Sequence, residues 1–471
     1  MAGPGKSSPA TVSARGALAA LALSMLLASL GISIANVALP ALALAFSAPF
    51  PTVQWVVIAY LLASTVTIVA LGRLGDRIGH RRVLLGGIAL FGLASLLCAL
   101  AGDLRVLLLS RAVQGVGAAI LMALTVALVR DTVPDDRIGR AMGLLGTMSA
   151  IGTALGPSLG GALIGAFGWR AIFLIMIPLA GLNFLLARRL LPEDASEPGT
   201  KGGLDIAGTS LLGLALGAYA LAMTIEGGRL GSLNIALLVG ALGAGIAFVA
   251  VEKRAPFPLI RIEALSDSVL ASGLATGALV GAVMMTTFVV GPFYLSRSLG
   301  LSVAEVGAVM AVGPLVSMVS GVPAGGVVDR FGAASVVRLG LATMALGAFG
   351  LAILPGRFGV AGYLGAMVVL TPGYQLFQAA NNTLVMAGAG AEQRGVISGL
   401  LALSRNLGLL TGASLMGAVF TRASGASDIA VAGRAELAAG MSATFLVAAA
   451  LMVLAFTITF SRGRHGGRPR S

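Results

Sequence analysis

Apolar residues dominate this chain in runs of roughly twenty, separated by short polar breaks, and a helix that crosses the hydrocarbon core of a bilayer needs about that length. The runs predict membrane-spanning helices over 17–40, 52–72, 83–101, 104–128, 141–165, 171–191, 206–226, 232–251, 268–294, 303–323, 334–355, 358–387, 396–420 and 440–460, about fourteen in all. The twelfth is long enough to be broken. Helices apolar on every side have lipid, not water, as their solvent. The polar breaks divide the chain into an N-terminal tail (1–15), a first group of six helices (16–191), a linker (192–205), two extra helices (206–252), a loop (253–267), a second group of six (268–460) and a basic tail (461–471).

Composition excludes a soluble globular protein. The chain is 57% hydrophobic and 10% charged, with mean hydropathy +0.99, against a charged share of about 25% in ordinary soluble domains. The net charge of +13 would suit nucleic acid, but the basic residues are scattered through the breaks without interleaved aromatics that bases could stack on, so no nucleic-acid partner is expected. They alternate instead. Lys6 and Arg15, Arg73 to Arg82, Arg130 to Arg140, Arg188 to Lys201, Lys253 to Arg261, Arg330 and Arg338, Arg394 and Arg405, and Arg462 to Arg470 fall on one side. The intervening breaks hold only Arg105, Arg170, Arg229, Arg297, Arg357, Arg422 and Arg434. The positive-inside rule then places both termini in the cytoplasm of a cell membrane, which an even number of spans satisfies. The first run lacks a small-residue cleavage site and reads as a retained span. Cys98 is the single cysteine, and His80 and His465 lie far apart, so neither a disulfide nor a metal or cofactor site is expected.

Three motifs carry the chemistry. Gly143, Gly152, Gly156, Pro157, Gly160 and Gly161 form a ladder in the fifth run. Inside a bilayer, small residues let two helix backbones approach, and neighbouring helices satisfy the groups a proline frees. The loop after the second run carries Gly72, Asp76, Arg77 and Gly79, followed by Arg82; the loop after the tenth repeats the spacing with Gly325, Asp329, Arg330 and Gly332. The echo implies duplication of a six-helix unit. Acids and arginines at helix ends can form a charge network that exists in one conformation and breaks in another, with Arg130 and Asp131 as further members. Arg111, followed by Gln114, Gly115 and Gly117, stands inside the fourth run, where a charge needs a polar cavity or a partner.

The ladder resembles the antiporter motif of export proteins of the major facilitator superfamily, the two loops resemble that family's cytoplasmic loop motif, and the Arg111 segment is similar to its R-x-x-Q-G-x-G. Leu30 to Pro40, Gln54-Trp55, Gly168-Trp169-Arg170, Leu204-Asp205, Pro256-Phe257-Pro258 and Arg405-Asn406-Leu407-Gly408 resemble the EmrB/QacA-type drug:proton antiporters in order and spacing. The resemblance implies an all-α polytopic membrane protein: two six-helix bundles plus two extra linking helices. It implies efflux of amphipathic small molecules against protons, with no cofactor. Where that subfamily has a first-helix aspartate, this chain has Gly31. Coupling would then rest on Asp76, Asp131 and Arg111, and the cavity would favour neutral or weakly acidic amphipaths over permanent cations. Mid-span polar and aromatic residues nominate a cavity of Asn36, Tyr60, Gln114, Tyr374, Gln375, Phe377, Gln378, Asn381 and Asn382, each equally open to a plain interhelical role. An uncoupled facilitator or importer on the same fold stands as an alternative. So does a membrane enzyme or sensor, although no nucleophile–base pair or ligand cluster lies within the runs.

Overall fold

The computed structural model describes residues 14–133, 138–194, 205–225, 231–255, 258, 267–387, 394–425 and 432–461, and among these it is helical, with no strand. The first half comprises α1 (Ala14–Ala45), the short α2 (Phe50–Val53), α3 (Trp55–Ile78), α4 (His80–Leu100), α5 (Leu104–Thr132), α6 (Ile138–Phe167), the short α7 (Ala171–Leu174) and α8 (Met176–Leu190). Two helices follow, α9 (Ile206–Thr224) and α10 (Ser232–Glu252). The second half contains α11 (Ser268–Phe293), α12 (Val303–Phe331), α13 (Ala333–Ala387), α14 (Arg394–Thr411), which passes through the π-turn Gly412–Met416 into α15 (Gly417–Ser424), and α16 (Arg434–Ser461).

Twelve helical stretches among the described residues are long and apolar enough to cross a membrane. The fourteen sequence runs differ from that number at two places. Helix α13 is 55 residues long, roughly 80 Å at 1.5 Å per residue and more than twice a bilayer core, and it breaks at Gly359, whose φ of 56° lies outside the helical region. The runs 334–355 and 358–387 are its two arms. The stretch 394–424, divided by its π-turn and carrying Arg405 and Asn406, is not among the twelve.

Packing in the second half repeats that of the first. Helix α1 runs parallel to α6, joined where the hydroxyls of Ser29 and Ser149 meet at 2.6 Å and Ser33 Oγ donates to the Gly152 carbonyl. In the second half α11 takes the same place beside α14, where Ser404 Oγ donates to the Leu274 carbonyl. Helix α5 packs on both α3 and α4; the second arm of α13 packs likewise on α12, through Gln375 and Ser317, and on its own first arm. Helices α9 and α10 pack on each other, with α9 tied to α3 where Trp55 Nε1 donates to Thr224 Oγ1 at 2.9 Å.

The halves meet where α1, α6 and α11 end. Phe50 stacks edge-on against Phe293 and Phe420 at 4.6 and 5.8 Å between ring centroids, and the Gln54 side-chain amide donates to the Ala413 carbonyl. Helices α6 and α12 cross through Gly161 and Gly307; a methyl on Gly161 would fall 2.8 Å from Gly307 Cα, closer than carbon atoms pack.

Candidate functional site: a central cavity between the halves

At mid-height, α1, α5 and α6 from one half and α11, α12, α13 and α14 from the other leave about 980 Å³ of empty space, counted to its open side. The packing of α1 on α6 sets the wall from the first half. Gly156 admits Ser33 so closely that any side chain there would collide with it, and this contact fixes the rotation of α1. Ser29, Ile32, Ser33 and Asn36, spaced three and four apart, then line the cavity with Ser149 and Thr153 of α6. Thr287, Ser317, Thr371, Tyr363 and Tyr374 supply hydroxyls from the other half, and Asn36 Oδ1 and Thr371 Oγ1 are buried without a hydrogen-bond partner.

Five methionines complete the wall: Met122, Met284, Met285, Met310 and Met367. Unbranched thioethers change rotamer easily and polarise, so such a wall adapts to apolar bodies of different shape. Among the described residues lining the cavity, one is charged, Arg405, and no carboxylate lines it. The sequence reading grouped Arg405 with the cytoplasmic loop charges. Its place inside α14 corrects that, because Arg405 and Leu409, one turn apart, both face the cavity.

Arg111 sits elsewhere. It is fully buried inside the first half: Nε donates to the Val56 carbonyl at 2.8 Å, Nη1 to the Gly31 carbonyl at 3.1 Å and to Gln114 Oε1, and the guanidinium lies 4.3 Å from the Tyr60 ring centroid. Gln114 passes the network to Ser95 Oγ at 2.8 Å, and the Tyr60 hydroxyl donates to the Ala28 carbonyl. Arg111 thus ties α1, α3 and α5 together. Gly31 faces the same cluster, since a Cβ there would meet Phe91 Cζ and Tyr60 Oη at 3.1 Å, and Gly31 is not part of the cavity wall.

Of the nine residues nominated for the cavity, Asn36 and Tyr374 line it. Tyr60 and Gln114 belong to the Arg111 cluster. Phe377 is buried against α13's first arm at Gly340, and Asn381 donates to the Gly273 carbonyl on α11. Gln375 bonds Ser317 behind the wall, Gln378 bonds the Tyr374 hydroxyl, and Asn382 is exposed. The methionines and Arg405 were missed: a thioether in a span reads as packing, and an arginine near a loop reads as topology.

At the loop motifs, Arg82 pairs with Asp194, Nε to Oδ2 at 3.9 Å, while the backbone amides of Arg81 and Arg82 donate to the same carboxylate at 2.8 and 3.1 Å. Asp194 therefore caps the start of α4 from the chain beyond α8, where an acid complements the helix dipole. Arg81 adds a contact to Glu193 at 3.6 Å. Arg77, Asp329 and Arg330 are exposed, with Arg330 over the Phe331 ring at 5.3 Å. The side chains of Asp76, Arg130 and Asp131 lie outside what is described, as does that of position 143 in the ladder.

Comparison with known proteins gives a consistent family. Residues 21–413 match the model of the Major Facilitator Superfamily. The multidrug efflux pump LfrA of Mycolicibacterium smegmatis is 31% identical over 86% of this chain and 80% of its own length. The riboflavin transporter RibZ of Clostridioides difficile is 29% identical over 85% and 87%. Among solved structures, a bacterial homologue of the human lysosomal transporter Spinster, inward-facing and unoccupied, superposes with a TM-score of 0.68 at 17% identity, covering 97% of this chain and 98% of that one.

Proposed function

The chain belongs to the major facilitator superfamily of membrane transporters, and on that premise we propose that it is a secondary active exporter of amphipathic small molecules, working by alternating access with proton exchange. The observation that carries the proposal is the cavity at mid-height, walled by both halves and closed where α6 meets α12 and Phe50 meets Phe293. A site on the boundary of two repeated bundles opens to either side when one bundle rocks against the other. Its wall of methionines, hydroxyls and tyrosines suits loosely oriented amphipaths.

Export, rather than uptake, is supported by the antiporter ladder and by similarity to the efflux pump LfrA; similarity to a riboflavin transporter widens the cargo this scaffold serves. The proposal includes fourteen crossings, with both arms of α13 and the stretch 394–424 each crossing, and both termini in the cytoplasm of the cell membrane. Proton exchange is assigned to Asp76, Asp131 and Arg111, since no carboxylate lines the cavity among the described residues. That same lack favours a second reading, an uncoupled facilitator.

Accumulation of a neutral amphipathic dye in cells making the protein and in cells lacking it tests direction. Export predicts lower accumulation that an uncoupler restores. A facilitator equilibrates the dye faster without lowering its plateau, and that outcome would remove the exporter reading.

A further inference from the structure

We propose that Arg405 is the anion-recognition point of the central cavity, and that the preferred cargo is an amphipath carrying a carboxylate, sulfonate or phosphate group. The proposal rests on the reading of this cavity as the cargo site. Arg405 is the one charged residue among the described lining, no acid lines the same space, and its Nε is buried without a hydrogen-bond partner. No hydrogen bond or ion pair holds the guanidinium among the described residues.

Arg111 spends its Nε and Nη1 donors on two backbone carbonyls and Gln114 and leaves Nη2 alone unpartnered, so the protein itself is its main partner. A guanidinium whose Nε is buried between helices without such partners is costly, and a ligand that supplies the missing acceptors gains what the protein leaves unmade. The planar fork of arginine matches the two oxygens of a carboxylate or phosphate.

Arg405 does not reach the cavity by chance rotation of its helix. Gly408 and Gly412 press α14 onto the carbonyls of Ala278 and Ala282 on α11, so closely that a methyl on Gly408 would overlap the Ala278 oxygen, and Ser404 Oγ bonds the Leu274 carbonyl. With that face locked, the Arg405 and Leu409 stripe is held toward the space between the halves. Two donors flank the same space. Thr371 Oγ1 has no partner, and the Tyr374 hydroxyl, accepting from Gln378 Nε2, keeps its own proton to give. The methionines hold the apolar body while the guanidinium takes the charged end.

The test uses three probes with one apolar body: 1-pyrenebutyrate, 1-pyrenebutanol and a pyrenebutyl-trimethylammonium salt. Binding to the purified full-length protein is read by energy transfer from its two tryptophans. The native protein is expected to bind the butyrate about tenfold more tightly than the alcohol, the fold-change of one charge-assisted hydrogen bond, and the cation most weakly. Arg405→Gln should bring the butyrate down to the alcohol while leaving the alcohol within about twofold, and Arg405→Lys should retain part of the difference. A role in packing alone would weaken all three probes together. Equal binding of butyrate and alcohol by the native protein, or an unchanged preference in Arg405→Gln, overturns the proposal and leaves the exporter reading standing. Failure of the native protein to bind any of the three removes both. The native ranking decides the matter even if Arg405→Gln does not fold.

Discussion

At the scale of single residues, Arg111 and Arg405 stand apart, the first buried within one half and the second lining the cavity between the halves. Arg111 is a clasp: without it, the carbonyls of Val56 and Gly31 and the amide of Gln114 lose a charged partner within a buried cluster. Hydrogen bonds to charged groups are worth about 1.5–3 kcal/mol each, so Arg111→Ala should lower the melting temperature in detergent and abolish transport. Arg111→Lys should recover only part, lacking the fork that reaches α1 and α3 at once. A variant Arg111→Ala with native melting and transport would show that the clasp is idle. Gly31 tells a related story. From sequence, an acid at this position would face cationic cargo, but its Cβ direction points at Phe91 and Tyr60. Gly31→Asp should therefore place its carboxylate beside Arg111 and give no gain in ethidium efflux from cells; a clear gain would mean that position 31 does reach the cavity. Mid-span polarity identified residues that must avoid lipid, yet it carried no information on which interior they face. Asn36 and Tyr374 face the cavity, while Tyr60, Gln114 and Asn381 face neighbouring helices.

At the scale of elements, the glycine ladder of α6 was legible in advance because close backbone approach leaves few residue choices. Its two adjacent glycines point different ways. Gly160 packs on Ile34 and Val37 of α1, inside its own half, whereas Gly161 packs on Gly307 of α12, across the division between halves. A side chain at Gly160 should disturb folding; one at Gly161 should disturb the closed end alone. Gly161→Ala is thus expected to keep near-native melting while shifting the balance toward the state open at that end. Distances between spin labels on α6 and α12 should lengthen in the variant. An unchanged distance distribution would mean that the α6–α12 contact is not a gate. The break of α13 at Gly359 was legible as the gap between two apolar runs, 334–355 and 358–387, whereas the break expected inside the second run is not there, since the helix continues from that glycine to Ala387. The pairing of Arg82 with Asp194 was not, because an acid in a polar linker has many partners open to it and only the fold brings this one to the start of α4.

At the scale of the whole molecule, the two loop motifs implied a duplicated unit, and the packing repeats accordingly: α1 on α6 as α11 on α14, and α5 on α3 and α4 as the second arm of α13 on α12 and its own first arm. Composition and run length were enough to indicate an all-helical membrane protein, since lipid permits few solutions for a chain so apolar, while the two-bundle arrangement was implied by the family resemblance. The position of the cavity was not legible, for it depends on how the halves face one another. The proposed topology, with the N-terminus in the cytoplasm and six crossings before it, puts the 188–194 segment in the cytoplasm. A single cysteine there, in a Cys98→Ser background, should resist an impermeant thiol reagent in intact cells, and labelling from outside would overturn the topology. The most direct measurement of proton-driven export is transport by the purified protein in liposomes under an imposed pH gradient. An amphipathic dye should accumulate in the compartment that supplies the protons, and the gain should vanish with an ionophore and fall in Met310→Trp, which narrows the cavity from α12. Dye distributions in native-protein liposomes that match protein-free liposomes, with or without the gradient, would contradict it.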